Sequence, residues 1–169
     1  MKMDPDKRRT ESTVGTMHTI GAIITADCDQ FVRYSKYDSK FTVTKGMCMD
    51  LEDCADLYAN QIKFQELLSQ QDLAPRIVAK DIKARYKNIK FMLIVSEDVG
   101  LPIEESDIPA ANDLLDALYD QGIILHWCLH QSLFVKGFDG KIRVTDFKQT
   151  ELYDEPIGKH NRKYVQWKV

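Results

Sequence analysis

Residues 88–98 read NIKFMLIVSED, and every side chain from Phe91 to Val95 is apolar. A strand with one face to water alternates apolar and polar residues. An unbroken apolar run of this length reads instead as a strand covered on both faces. The sheet that contains it therefore needs a second layer packed against it. RIVAKDIKAR (76–85), just upstream, reads as its neighbour in sequence and a second strand. Further upstream, MHTIGAIITA (17–26), QFVRYSKY (30–37) and FTVTKGM (41–47) are short β-rich runs separated by turn residues. They predict an antiparallel meander.

Two segments have a different period. In 50–71, Leu51, Cys54, Leu57, Tyr58, Ile62, Leu67 and Leu68 approximate a helical stripe, with acidic residues at the start where a helix dipole favours them. That helix is expected to stop before Pro75. PAANDLLDALYDQG (109–122) predicts a second helix: Leu114, Leu115, Leu118 and Tyr119 share a face, and Gly122 is a good stop. Between the last strand and this helix, VGLPIEESDIP reads as a linker with two prolines. The expected class is α+β, with 16–169 as one domain and 1–15, polar and nearly free of large apolar residues, as a disordered arm.

Composition excludes several roles. With 169 residues, 44% apolar and a net charge of −3, the chain has enough apolar residues for one core and no global basic field for nucleic acid. No apolar run approaches the roughly 18 residues of a membrane span. Lys2, Lys7, Arg8 and Arg9 have no apolar run behind them, so no secretory signal is expected and an intracellular setting is. Cys28, Cys48, Cys54 and Cys128 show no paired spacing and are expected as reduced thiols.

The most chemical stretch is 126–147, HWCLHQSLFVKGFDGKIRVTDF. LFV and IRVTDF flank Asp139–Gly140, a strong hairpin signal. His126, Cys128 and His130 could be read as zinc ligands, but no second cluster completes four donors, and loop packing is the plainer reading. Lys45 on its strand could equally be a solvated lysine, and Asp146 a turn or cap acid. The aromatic residues Tyr164 and Trp167 could tuck onto the body or meet a partner.

Taken in order, meander, helix, two strands, linker, helix, loop, hairpin and Asp-Phe resemble the protein kinase fold as far as its metal-binding Asp-Phe-Gly. KFTVTKGM is similar to the third kinase strand, with Lys45 at the position of the phosphate-holding lysine. NQIKFQELLSQQDLAPRIV resembles the αC helix and its following loop. FMLIVSEDVGLPI resembles the fifth strand and hinge, where Glu97, Asp98 and Val99 would offer backbone groups to adenine. HWCLHQSLFV resembles the catalytic loop, and the spacing from Cys128 to Asp146 suits the family's two aspartates. The resemblance implies a minimal two-lobed kinase-like fold: an N-lobe of antiparallel sheet plus αC over 16–99, and a truncated C-lobe over 100–169. Only residues 148–169 follow the Asp-Phe pair, so the substrate-docking helices of a full C-lobe are expected to be absent.

The departures decide what the resemblance implies about function. Phosphoryl transfer needs a phosphate cradle, metal ligands and a base for the attacking hydroxyl. At the base position stands Cys128, whose thiol has a reference pKa of about 8.5 and is a poor carboxylate substitute. Leu133 stands where a second metal ligand belongs and cannot bind a cation. Gln61 stands at the αC glutamate position, with Glu66 as the alternative register. The Gly-rich loop is reduced to Gly21, and Lys148 replaces the last glycine of Asp-Phe-Gly. Lys45 and Asp146 survive, the latter as the implied metal ligand for weak ATP/Mg binding at best.

The expectation is a non-catalytic, pseudokinase-like regulatory protein of the kind found in large DNA viruses. It would bind and modulate a protein partner, a kinase, in host cytoplasm or nucleus. An atypical small Ser/Thr kinase, with Asp139 or His126 replacing the base, is the alternative. A scaffold without a nucleotide site is the third reading.

Overall fold

The computed structural model describes residues 25–27, 30–37, 40–50, 52–86, 88–97, 100–126 and 128–169. The expected arm (1–15) and the start of the first strand, including Gly21, lie outside the described residues. The structure is α+β, its described residues forming small antiparallel sheets and two α-helices, and its packing divides it into two compact units.

The first unit, residues up to Ala59 with Arg76–Asp98, holds a five-stranded antiparallel sheet. Its strands are β1 (Thr25–Asp27), β2 (Gln30–Tyr37), β3 (Lys40–Cys48), β4 (Ile77–Tyr86) and β5 (Ile89–Glu97), in the spatial order β1-β2-β3-β5-β4. The meander accounts for β1–β3, and β5 then pairs with β3, setting Lys45 opposite Ile94 and Thr42 opposite Glu97. β5 is buried from Leu93 to Ser96, as a strand covered on both faces must be. Cys48, Phe91 and Leu93 form a core cluster with Ile82, Ala84 and Ile89 packed on it. β4 is an edge strand with a bulge between Ala79 and Ile82, where Asp81 takes φ 59°.

Helix α1 (Cys54–Ser69) follows β3, and its residues from Asn60 onward belong to the second unit. Its buried positions are Cys54, Tyr58, Gln61, Gln65 and Leu68, a 4-3 alternation, with Phe64 beside them on the same face. The stripe expected from the apolar residues is therefore corrected: Leu67 is exposed, and two glutamines stand on the buried face instead. The helix ends at Ser69, well short of Pro75. Asp72 at φ 59° closes the end, and the Leu73 N–H reaches back to the Leu68 carbonyl.

The second unit continues from Val99. The segment read as a linker contains a strand, β6 (Gly100–Pro102), which pairs with β8 (Phe134–Gly137). Gly100 is needed there because a Cβ would meet the Lys136 backbone. A capping box follows, in which the Asp107 carboxylate accepts from the Glu104 N–H at 2.8 Å. It caps the 3₁₀ turn Glu105–Asp107, which leads into α2 (Ile108–Asp120), with Pro109 in the first turn of α2 and Gly122 at φ 77° ending it. β7 (Ile123–Ile124) pairs with β10 (Glu151–Leu152), and β8 pairs with β9 (Ile142–Val144) across the Asp139–Gly140 turn. One core unites Phe64 and Leu68 of α1, Leu115 and Leu118 of α2, Phe134, Val144, Phe147 and Val165.

Candidate functional site

The Asp146–Phe147 corner just after β9 is where the chemistry of the sequence concentrates. Phe147 is fully buried in the core of the second unit, which fixes the corner from below. α1 fixes it from the side through amides. Gln61, itself fully buried, accepts from the Phe147 N–H at 2.7 Å and donates to the Thr145 carbonyl at 3.2 Å. Its amide also donates to Gln65 Oε1 at 3.0 Å, and Gln65 in turn donates to the Pro75 carbonyl at 3.0 Å. The adjacent Asn60 donates to the carbonyls of Phe147, Lys148 and Thr150 at 2.9–3.1 Å. An amide has two N–H groups, so one of them is shared.

These neutral side chains satisfy backbone groups of the corner. Asp146 faces outward enough to be partly exposed. Its Oδ1 accepts from the Lys148 N–H at 3.2 Å, and its Oδ2 lies 3.8 Å from Lys148 Nζ. The carboxylate thus holds a local turn, and the lysine standing where the motif has glycine lies beside it.

The loop expected to carry the base is organised by its own histidines. His126 Nδ1 accepts from the Cys128 N–H at 2.8 Å, and His130 Nδ1 accepts from the Ser132 N–H at 3.1 Å. Both rings spend the nitrogen nearest the backbone on loop geometry, and Cys128 is an exposed free thiol. Leu133 packs its side chain on the core, while its carbonyl accepts from Thr145 N and Oγ1 at 2.9 and 3.3 Å. No group of three His, Cys, Asp or Glu residues suited to a metal occurs among the described residues. At the two expected ligand positions a divalent cation would find the carboxylate of Asp146 and the apolar side chain of Leu133.

The hairpin carrying this loop is tied at its tip by ions that sequence reasoning missed. Arg143, buried, donates to both oxygens of Asp72 and both of Asp139 at 2.9–3.3 Å, and Lys141 adds a 3.0 Å bond to Asp72. Hydrogen bonds from Arg143 and from the Lys141 N–H hold Asp139 down to about 2. Lys141 first, then Arg143, lowers Asp72. Asp139 is therefore an ion-paired anchor and a weak base, which counts against its use as a substitute general base.

The remaining candidates lie in the first unit. Lys45 is half-buried on β3. The Glu97 N–H is already given to the Arg76 carbonyl at 3.0 Å and is not free to meet a ligand. Asp98 and Val99 lie outside the described residues. The structure thus brings Gln61, Leu133 and Asp146 together in one unit and leaves Lys45 and Glu97 in the other.

Asn60 carried a readable signal. Asn is a poor residue for a helix interior, and a mid-helix Asn-Gln pair suggests side chains employed elsewhere. Among the described residues no helix is long and apolar enough to cross a membrane. A scan against protein-family models and a search of curated proteins each return no match to the chain.

Proposed function

We propose that the chain is a minimal kinase-like protein that has exchanged phosphotransfer for binding: a non-catalytic regulator of a protein partner, itself a protein kinase. The reading takes β1–β5 and α1 as the N-lobe and 100–169 as a truncated C-lobe. It sets the chain beside the shortened kinase-like proteins of large DNA viruses, with the baculovirus protein kinase-interacting protein as the candidate relative. One observation carries it. The side chain at the αC glutamate position, Gln61, is spent on the backbone of Thr145 and Phe147, so a position that serves catalysis in the family serves architecture here. Cys128 and Leu133 at the base and second-ligand positions point the same way. Removing even one preorganised charge typically costs a hundredfold or more in rate, and several are gone.

The test is phosphate transfer and ligand-linked stability in the full chain. With ATP and Mg²⁺ and a generic protein substrate, the wild-type chain is expected to transfer no more phosphate than Asp146→Asn. Transfer lost on Asp146→Asn would overturn the reading in favour of an atypical Ser/Thr kinase. A nucleotide that binds only the folded state raises its melting temperature by mass action. A rise that disappears in Lys45→Ala and Asp146→Ala would place a vestigial nucleotide site there, and no rise would leave a binding module. Added to its partner kinase, the chain is expected to change that kinase's activity. An unchanged activity at saturating, demonstrated binding would remove the regulatory part.

A further inference from the structure

Residues 158–169 lie along α2 without forming helix or strand beyond a short turn at Lys159–Asn161. What holds them is unusual in kind. Three side chains of the body each bond both the N–H and the carbonyl of one residue in this segment. The Tyr119 hydroxyl takes Lys163, donating to its carbonyl at 2.5 Å and accepting from its N–H at 3.2 Å. Asn112 takes Val165 at 3.3 and 2.9 Å, and Gln131 takes Lys168 at 2.5 and 3.0 Å. Such bonds read an extended backbone whatever side chains it carries. Main-chain bonds that give affinity, with pockets that give selectivity, are how folded domains take up peptides.

Selectivity comes from two further positions. Arg162 places one guanidinium nitrogen 3.0 Å from Asp116 and another 2.7 Å from Asp120, with its charge over the Tyr119 ring. Val165 is the one residue of the segment fully buried, inserted into the core of the second unit. Tyr164 between them is exposed at 43%, bonds Asp116 through its hydroxyl and sets its ring edge-on to Tyr119. Residues 151–156, which lead into the segment, are all exposed. The segment is bonded as a ligand is, through its backbone, one charged fork and one apolar anchor.

We propose that the polar face of α2, with Gln131, is a peptide-binding groove in which residues 158–169 are the resident, exchangeable ligand. The groove takes in trans an extended segment of a partner protein that carries an arginine three residues ahead of a β-branched aliphatic residue. The acidic pair Asp116 and Asp120 selects the arginine, and the Val165 site selects the aliphatic residue. This holds whether or not the unit is kinase-like.

The test uses the full chain and a fluorescent peptide, GKHNRKYVQWKV. The wild-type chain, whose own segment competes, is expected to bind it weakly. Arg162→Ala with Val165→Ser loosens the resident and is expected to tighten peptide binding at least tenfold. The same two replacements in the peptide, or Asp116→Asn with Asp120→Asn in the loosened chain, are expected to abolish it. No saturable binding by the folded double variant overturns the proposal. So does concentration-dependent dimerisation that the peptide fails to compete, which would assign the groove to a second copy. Amide hydrogen exchange on the wild-type chain needs no variant. Lys163, Val165 and Lys168 are expected to exchange at least a hundredfold faster than Leu115 and Leu118. Equal protection makes the segment an inseparable part of the fold and overturns the proposal by itself.

Discussion

Gln61 shows how much can rest on one neutral side chain. Its amide has one orientation that works: the oxygen must meet the Phe147 N–H, and the nitrogen must meet the Thr145 carbonyl and Gln65 Oε1. Leucine would fit the helix better but remove these three bonds, leaving the Phe147 N–H without its Gln61 acceptor. An unsatisfied buried polar group costs about 1–3 kcal/mol, so Gln61→Leu is expected to destabilise by roughly 3 kcal/mol in urea unfolding. A wild-type midpoint would show that these bonds carry no net stability. Gln61→Glu is the more telling variant. A carboxylate there could still accept from Phe147, but it would face the Thr145 carbonyl and the Gln65 oxygen, so burial and repulsion raise its pKa above the unfolded value of about 4.3. The variant should be nearest to wild type below that pH and lose stability as pH rises through the raised value. A deficit that instead shrinks towards neutral pH would mean that a cation has paired with the glutamate. The position itself was legible only through the kinase resemblance. Its partners were not, because nothing local in a sequence says which backbone groups lie against a buried amide.

At the scale of elements, the strand signals were strong wherever a run was long enough to show a period. β2, β3, β4 and β5 each span eight or more residues and stand close to where side-chain type predicted them. β6, β7 and β10 have two or three residues each, too few for any alternation, and only tertiary pairing defines them. The β4 bulge was in fact written in the sequence. β4 has a further register shift between Ile77 and Ala79; after it, Ala79 has one parity and Ile82 and Ala84 the other, so keeping all three opposite Val95, Leu93 and Phe91 requires one inserted residue. Tyr58 of α1 secures that insertion. Its hydroxyl accepts from the Asp81 N–H at 2.7 Å and stands within hydrogen-bond distance of Asp81 Oδ1 and the Leu93 carbonyl. Tyr58→Phe removes these bonds at nearly constant volume and is expected to cost about 1–2 kcal/mol. It should also speed amide exchange at Asp81 and Ile82 on this edge strand. Unchanged exchange there would show that the bulge is held by the β4–β5 ladder alone.

For the whole molecule, the two units divide the chain in a way the sequence only half discloses. The break near residue 99 follows from the change of pattern after β5. The assignment of residues 60–75 to the second unit does not, since it depends on Phe64, Leu68 and Ala74 entering a core built mostly by residues after 100. Asp72, Asp116 and Asp139, whose carboxylates are shifted, belong to that second unit. Asp72 and Asp139 are lowered chiefly by hydrogen bonds from Lys141 and Arg143 respectively, and Asp116 by hydrogen bonds from Tyr164 and then Arg162. Since their folded values lie below the unfolded 3.8, their stabilisation is full above that pH. It drains as pH falls through the folded values, which reach about 2 for Asp139. Trp167 also lies in the second unit, so its fluorescence reports on that unit. The urea midpoint followed by tryptophan fluorescence is therefore expected to hold steady from pH 7 to about 5 and then fall between about 4 and 2. Asp72→Asn, Asp116→Asn and Asp139→Asn combined should lower the midpoint at pH 6 and flatten the fall, because the groups responsible no longer titrate. A triple variant that keeps the full acid dependence would place its origin in other carboxylates and reduce these three ion pairs to surface contacts without net effect.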